Sequence, residues 1–191
     1  KSTLTFKGNN DIDYVAVDKT GENISKVIIE GGKFGTIATS GGGDYEITGG
    51  TFSTDVKAYV PEDAKIVTNT DGSFVVNPVA EMNGKYYSAL QYAFDDVTSD
   101  STIKLVSDTD ISETGAKYTK GSTVTLDLSN KTVKAANTKA GNIQVLSGKL
   151  ILTDNSPAAG GKIYSETVWK GIPTGYGVID VNGAEFEMQG G

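Results

Sequence analysis

Three pairs of aspartates lie close enough in the chain to share a site: Asp11 with Asp13, Asp95 with Asp96, and Asp108 with Asp110. In a strand, residues i and i+2 point to one face, so either Asp-x-Asp pair could present two carboxylates together. A retaining or an inverting glycosidase needs two carboxylates about 5–5.5 Å or 6.5–9.5 Å apart. The competing role is plainer: aspartates form turns and solvated edges. Calcium is the other chemistry that Asp-x-Asp can begin, and Asp108-Thr109-Asp110 is a weak match to it. The twelve-residue loop with its central glycine and final glutamate is absent. The chain has no histidine, no cysteine and no arginine. Ser-His-Asp and Cys-His arrangements are therefore impossible, as are His- or thiolate-ligated metals. We assign no catalytic residue, no metal ligand and no cofactor.

Aromatic residues offer a different chemistry. The stretch Ser165–Gly177 holds the only tryptophan, Trp169, with Pro173 and Tyr176 close by, and Tyr164 just precedes it. A flat apolar ring with a polar rim can stack on a sugar face, which makes Trp169, Tyr176 and Tyr164 the candidate ligand-binding residues. The alternative is that Trp169 folds back over the structure beneath it. Formal charge is −7 and every basic residue is lysine. That balance argues against nucleic acid, where arginine-rich patches meet phosphate and guanine, and against an anionic membrane surface. No apolar run approaches the length of a membrane span.

The elements that would position these groups are short strands. The chain has 24 glycines among 191 residues and only 4 prolines, with many threonines, which favours an all-β fold rich in turns. IEGGKF (Ile29–Phe34) recurs 18 residues later as ITGGTF (Ile47–Phe52), and STIKL (Ser101–Leu105) recurs 21 residues later as STVTL (Ser122–Leu126). Repeats of that length with one short strand each point to a solenoid completed unit by unit. STVTLDL places Val124, Leu126 and Leu128 inside and Thr123, Thr125 and Asp127 outside. Asn130, Asn137, Asn142 and Asn155 suit corners, because asparagine tolerates left-handed backbone. The fold expected is a right-handed parallel β-helix with one short capping α-helix.

That helix follows Asn83-Gly84, the favoured dipeptide of a two-residue hairpin. Ser88 and Gln91 have the spacing of a capping box, with Tyr87 and Tyr92 placed as a hydrophobic staple. Leu90, Ala93, Phe94 and Val97 form one apolar face. A helix of roughly ten residues is marginal alone, so this face must dock. STIKL then follows as a strand with Ile103 and Leu105 on one side. Ser88, Leu90, Gln91, Phe94, Ile103, Val124 and Leu126 are the expected cap and core residues.

The run VAEMNGKYYSALQYAFDDVTSDSTIKLVSD, followed by STVTLDLSNKTV and KLILTDNSP…GGKI, resembles modules in large surface proteins of Gram-positive gut bacteria. Those modules have the right-handed, pectate-lyase-like parallel β-helix fold, with a short helix capping the first coil. ITGGTFSTDVKAYV with DGSFVV is similar to the way such a module ends. The resemblance covers nearly the whole chain and rests on cap, strand and corner residues. It implies that residues 1–78 are the last coils of one module with a closing hairpin segment, and 79–191 the helix-capped start of a second. Asn77-Pro78 would be the join, since a residue before proline is biased to extended backbone. The usual arginine base of polysaccharide lyases on this fold is absent. The resemblance therefore implies a non-enzymatic piece of a secreted, cell-surface bacterial protein. It would act as a stalk or adhesin whose loops meet a glycan or a host surface protein. The alternative is a tailspike-like glycosidase using Asp/Glu pairs. The chain opens at Lys1 without a methionine and reads as part of something longer. Open end rungs would favour end-to-end self-association.

Overall fold

The computed structural model describes residues 2–16, 26–38, 44–138, 140–166 and 177–189. They are mostly strand with parallel sheets, and α1 is the one α-helix among them. The chain divides into two compact units, 1–78 with 85–89 and 79–84 with 90–191.

In the first unit strands alternate between two sheets. β1 (Thr3–Phe6), β3 (Lys26–Ile29) and β5 (Asp44–Ile47) form a parallel sheet; β2 (Asp11–Ala16), β4 (Lys33–Ala38) and β6 (Gly50–Phe52) form another. The 18-residue repeat sets the register: Ile29 lies opposite Ile47, and Phe34 opposite Phe52. The rings of Phe34 and Phe52 stack 5.3 Å apart, and Phe6 meets Phe34 edge-on at 5.6 Å. The double glycine has two separate causes. At Gly49 a Cβ would come within 2.4 Å of the Glu30 carbonyl oxygen in the neighbouring turn of chain. Gly32 and Gly50 have φ of 119° and 120°, a region that side chains rarely adopt. The parallel order then stops. β7 (Ile66–Thr68) and β8 (Phe74–Val76) form an antiparallel hairpin, and β8 pairs antiparallel with β6.

Asn77 departs from the extended backbone expected before proline. Its φ is 48°. Its side chain accepts from the Lys65 amide and donates to the Thr48 carbonyl, both at 2.9 Å, and those bonds outweigh the local bias. Nearby, the Asn69 carboxamide grips both sides of one peptide group, accepting from Tyr86 N at 2.8 Å and donating to Tyr86 O at 3.1 Å.

The stretch from 79 to 89 contributes to both units. β9 (Ala80–Met82) belongs to the second and β10 (Lys85–Tyr87) to the first. Between them Asn83 and Gly84 have φ of 53° and 81°, as a two-residue hairpin turn requires.

In the second unit α1 (Leu90–Asp95) is followed, among the described residues, by ten strands that fall on three sheets in strict rotation. β11 (Ser101–Leu105), β14 (Thr123–Asp127), β17 (Lys149–Thr153) and β20 (Glu185–Gln189) make one parallel sheet. β12 (Thr109–Asp110), β15 (Thr132–Ala135) and β18 (Lys162–Ser165) make the second. β13 (Ala116–Tyr118), β16 (Ile143–Val145) and β19 (Ile179–Val181) make the third. Ile103, Leu105, Val124, Leu126 and Leu150 are buried as one apolar row set. Leu150 and Leu152 pair with Phe186 and Met188, which are 36% and 65% exposed.

The second repeat misaligns. Ser101 pairs with Val124 rather than Ser122, and Ile103 with Leu126. A slip of two residues keeps every side chain on its own face, so the hydrophobic pattern tolerates it. Asp100 fixes the observed choice by accepting the Thr123 amide at 2.8 Å. Asp127, expected outside, is buried. Its carboxylate is paid for by the amides of Ser129 and Asn155 at 2.9 and 3.0 Å, with the Asn155 side chain at 3.2 Å.

The helix is shorter than expected, six residues, yet Leu90, Ala93, Phe94 and Val97 are all buried. It packs on β13 and β9, with Phe94 and Tyr118 rings 5.6 Å apart. Ser88 and Gln91 point their side chains elsewhere than a reciprocal capping box. Ser88 Oγ bonds Thr51 Oγ1 at 2.9 Å. Gln91 accepts from Lys117 N at 2.7 Å, donates to Lys117 O at 3.0 Å, and donates to Asp95. Alternate peptide groups of a strand face opposite neighbours. Ala116 and Tyr118 bond toward β16, so the Lys117 peptide faces away from it, toward Gln91. The carboxamide therefore stands in for the next strand and closes that edge. Among the corner asparagines, Asn130 adopts φ 61° as expected, while Asn142 is buried and donates to Gly177 O at 3.2 Å.

Candidate functional site

The sheet of β12, β15 and β18 carries a solvent-open groove of about 410 Å³ on its outer face. Parallel register explains its lining. Thr109, Val133 and Ile163 form a middle row, with Val133 fully buried. The rows on either side therefore face out. One outward row is Asp110, Lys134 and Tyr164, paired in sequence across the three strands. The other is Asp108, Thr132 and Lys162; Thr132 pairs with Lys162, and the Thr132 amide donates to Asp108 at 2.8 Å.

The electrostatics are largely settled within the groove wall. Lys134 Nζ lies 3.4 Å from Asp110 and 2.9 Å from Glu166. The bond to Glu166, followed by that to Asp110, raises the Lys134 pKa above its ordinary value. Partial burial pushes the Asp110 carboxyl up. The Ser112 hydroxyl and amide and the Lys134 ammonium together outweigh that, so its pKa ends below the usual carboxylate value. Asp110 is thus held ionised and unable to deliver a proton near neutrality. Lys162 lies two residues before Tyr164 and so shares its face, and its ammonium sits 4.9 Å from the Tyr164 ring centroid.

The remaining acids sort the same way. An Asp-x-Ser motif recurs at Asp71, Asp110, Asp127 and Asp154, and in each the serine amide two residues on donates to the carboxylate. Asp154 is the most heavily bonded, receiving Ser156 Oγ at 2.6 Å, Gly161 N at 2.6 Å and Asn130 N at 3.0 Å. The Ser156 hydroxyl, with these amides, pulls its pKa down to about 2 against a smaller opposing effect of burial. Asp100 and Asp108 each hold an amide of a following strand. Asp95 accepts from Gln91, and Asp11 and Asp13 lie exposed on β2. Among the described residues no three acids converge as a metal site would need.

Of the aromatic candidates, Tyr164 lies in the groove, while Trp169, Pro173 and Tyr176 lie outside the described residues. Sequence reasoning singled out Asp108 and Asp110 as a pair but missed Thr132, Lys134 and Lys162. The signal that could have found them is strand alternation in KTVKA and GKIYS, which sets Thr132 with Lys134 and Lys162 with Tyr164. Compared with known proteins, the chain matches no family model, no curated protein and no solved structure.

Proposed function

We propose that this chain is a non-enzymatic part of a secreted, cell-surface bacterial protein, a stalk or adhesin wound as right-handed parallel β-helix coils. Rotation of consecutive strands through the same parallel sheets supports the winding. Residues 1–78 read as the closing coils of one module, because β8 ends the parallel order of its sheet antiparallel to β6. Residues 79–191 read as the start of a second, because antiparallel β9 and α1 cover its first coil. The resemblance to Gram-positive surface modules supplies the location.

One observation carries the non-enzymatic reading. Both aspartates of the one pair that lines a groove are engaged by backbone amides, Asp108 by Thr132 and Asp110 by Ser112, as are Asp100, Asp127 and Asp154. A glycosidase needs one carboxyl raised in pKa as the acid, and Asp110 and Asp154 are both lowered. The glycosidase alternative retains one point in its favour, that Asp108 and Asp110 line the same groove. Incubation with a panel of neutral and acidic polysaccharides, scored for new reducing ends, separates the two. No new ends are expected. Ends that appear with the wild-type chain and vanish with Asp110→Asn would make it an enzyme.

A further inference from the structure

We propose that the groove on β12, β15 and β18 binds a neutral glycan, lying across the strands with one sugar face on Tyr164. This rests on the surface-display reading and deepens it, narrowing a glycan or host protein met by loops to a neutral glycan on one sheet face. The groove's volume of about 410 Å³ falls within the class of small-molecule sites, about 300–1,000 Å³. Strands about 4.8 Å apart offer one side chain per strand in each outward row, a rise comparable to one sugar ring along an extended glycan.

Charge decides the class. Lys134 is already neutralised by Asp110 on one side and Glu166 on the other. That leaves Asp108 and Lys162 at opposite ends of the second row, with Thr132 between them. Lys162 has no ion pair among the described residues, and only one oxygen of Asp108 is engaged there, by the Thr132 amide. A carboxylate accepts from sugar hydroxyls, an ammonium donates to hydroxyl and ring oxygens, and a threonine hydroxyl does either. A glycan with a carboxylate on every residue would place one against Asp108, and a polyamine would place a cation against Lys162. The net charge of −7 further opposes a polyanion. A chain of neutral hydroxyl-bearing rings satisfies both ends. Tyr164 adds the apolar face, and the Lys162 ammonium against the ring restricts its orientation before any ligand arrives.

The test is calorimetric titration of the purified chain with cellohexaose, laminarihexaose and mannohexaose, and with hexagalacturonate as the anionic probe. At least one neutral hexasaccharide should bind, with Tyr164→Ala weakening it tenfold or more and Asp108→Asn severalfold. Circular dichroism and melting of each variant report whether the fold is kept. Should Tyr164→Ala fail to fold, Lys162→Met, which retains the aliphatic stem, replaces it with an expected severalfold loss. Absence of neutral binding, preference for hexagalacturonate, or binding indifferent to Tyr164 and Lys162 would each overturn the proposal. Binding that ignores these variants leaves the adhesin reading standing with its site elsewhere. Binding accompanied by cleavage keeps the site and sinks the non-enzymatic reading.

Discussion

The two units solve the same problem, stacking parallel strands at fixed register, by different means. The first packs turns of chain as little as 18 residues apart around an aromatic column, Phe6 on Phe34 on Phe52. Its corners are double glycines, which let backbone pass within van der Waals reach of backbone at Gly31 and Gly49. In the second unit the spacing is wider and uneven, from Ser101 to Val124, from Thr123 to Lys149, and from Lys149 to Glu185. Longer excursions cannot be registered by a tight corner alone. There glycines still allow close approach, at Gly141 and Gly148, but carboxylates are added that reach amides of a neighbouring strand or corner: Asp100 to Thr123, Asp108 to Thr132, Asp127 to Asn155 and Asp154 to Asn130. An apolar ladder with glycine corners serves the regular short turns, and charged staples are added to both where length varies.

Leu90→Asp should separate the two units most strongly. Leu90 is 1% exposed on the docked face of α1. Removing a buried leucine costs about 2–5 kcal/mol, and an unpaired buried carboxylate adds several more. That approaches the whole stability of a domain, about 5–15 kcal/mol. Hydrogen exchange should rise across β11–β20 and change little across β1–β6. Unchanged protection in the second unit would mean that the helix is no cap. Phe52→Ala tests the other side. Phe52 is fully buried at the end of the aromatic column, and its truncation should cost about 3–5 kcal/mol. Urea denaturation followed by exchange in β3–β6 should show the loss there, and an effect spread evenly over both units would remove the distinction drawn between them.

How much of this was legible in the residues follows from which interactions are local. The IEGGKF and ITGGTF repeat gave the true register, because glycine corners and a buried phenylalanine constrain the same few positions. The apolar face of Leu90, Phe94 and Val97 was legible for the same reason. STIKL and STVTL misled, since composition repeats at 21 residues while the pairing falls two residues further on. Asp127 looked solvent-facing by alternation, and only the distant Asn155 makes its burial tolerable. Gln91 fitted a cap by spacing, yet the unpaired Lys117 peptide, 26 residues away, claims it. The groove was half visible. Tyr164 and Asp110 could be named, but not that Lys134 sits between them, because parallel partners are set by the length of chain between strands.

The smallest expected effect is also the one that isolates the staples. Asp154 has its pKa lowered from 3.8 to about 2 by the Ser156 hydroxyl and by amides of Gly161, Ser156 and Asn130. A carboxyl lowered on folding contributes stability that is complete above its unfolded pKa, about 4, and drains away as pH falls through the folded value. The second unit should therefore lose stability between about pH 4 and pH 2, with the amides of Asn130 and Gly161 the first to exchange. Asp154→Asn should lower the melting point at neutral pH, since an amide NH₂ in place of Oδ2 would face the Gly161 N–H donor. It should also flatten the acid limb, because the titrating group is gone. In the first unit Asp71 is lowered too, chiefly by the Ser73 hydroxyl and then its amide, but both bonds are local to one hairpin turn. Asp71→Asn should therefore leave the parallel ladder of β1–β6 untouched at every pH. Equal acid sensitivity of that ladder and of β14–β17, measured by exchange from pH 5 to pH 2, would show that staples and apolar columns are not separate devices.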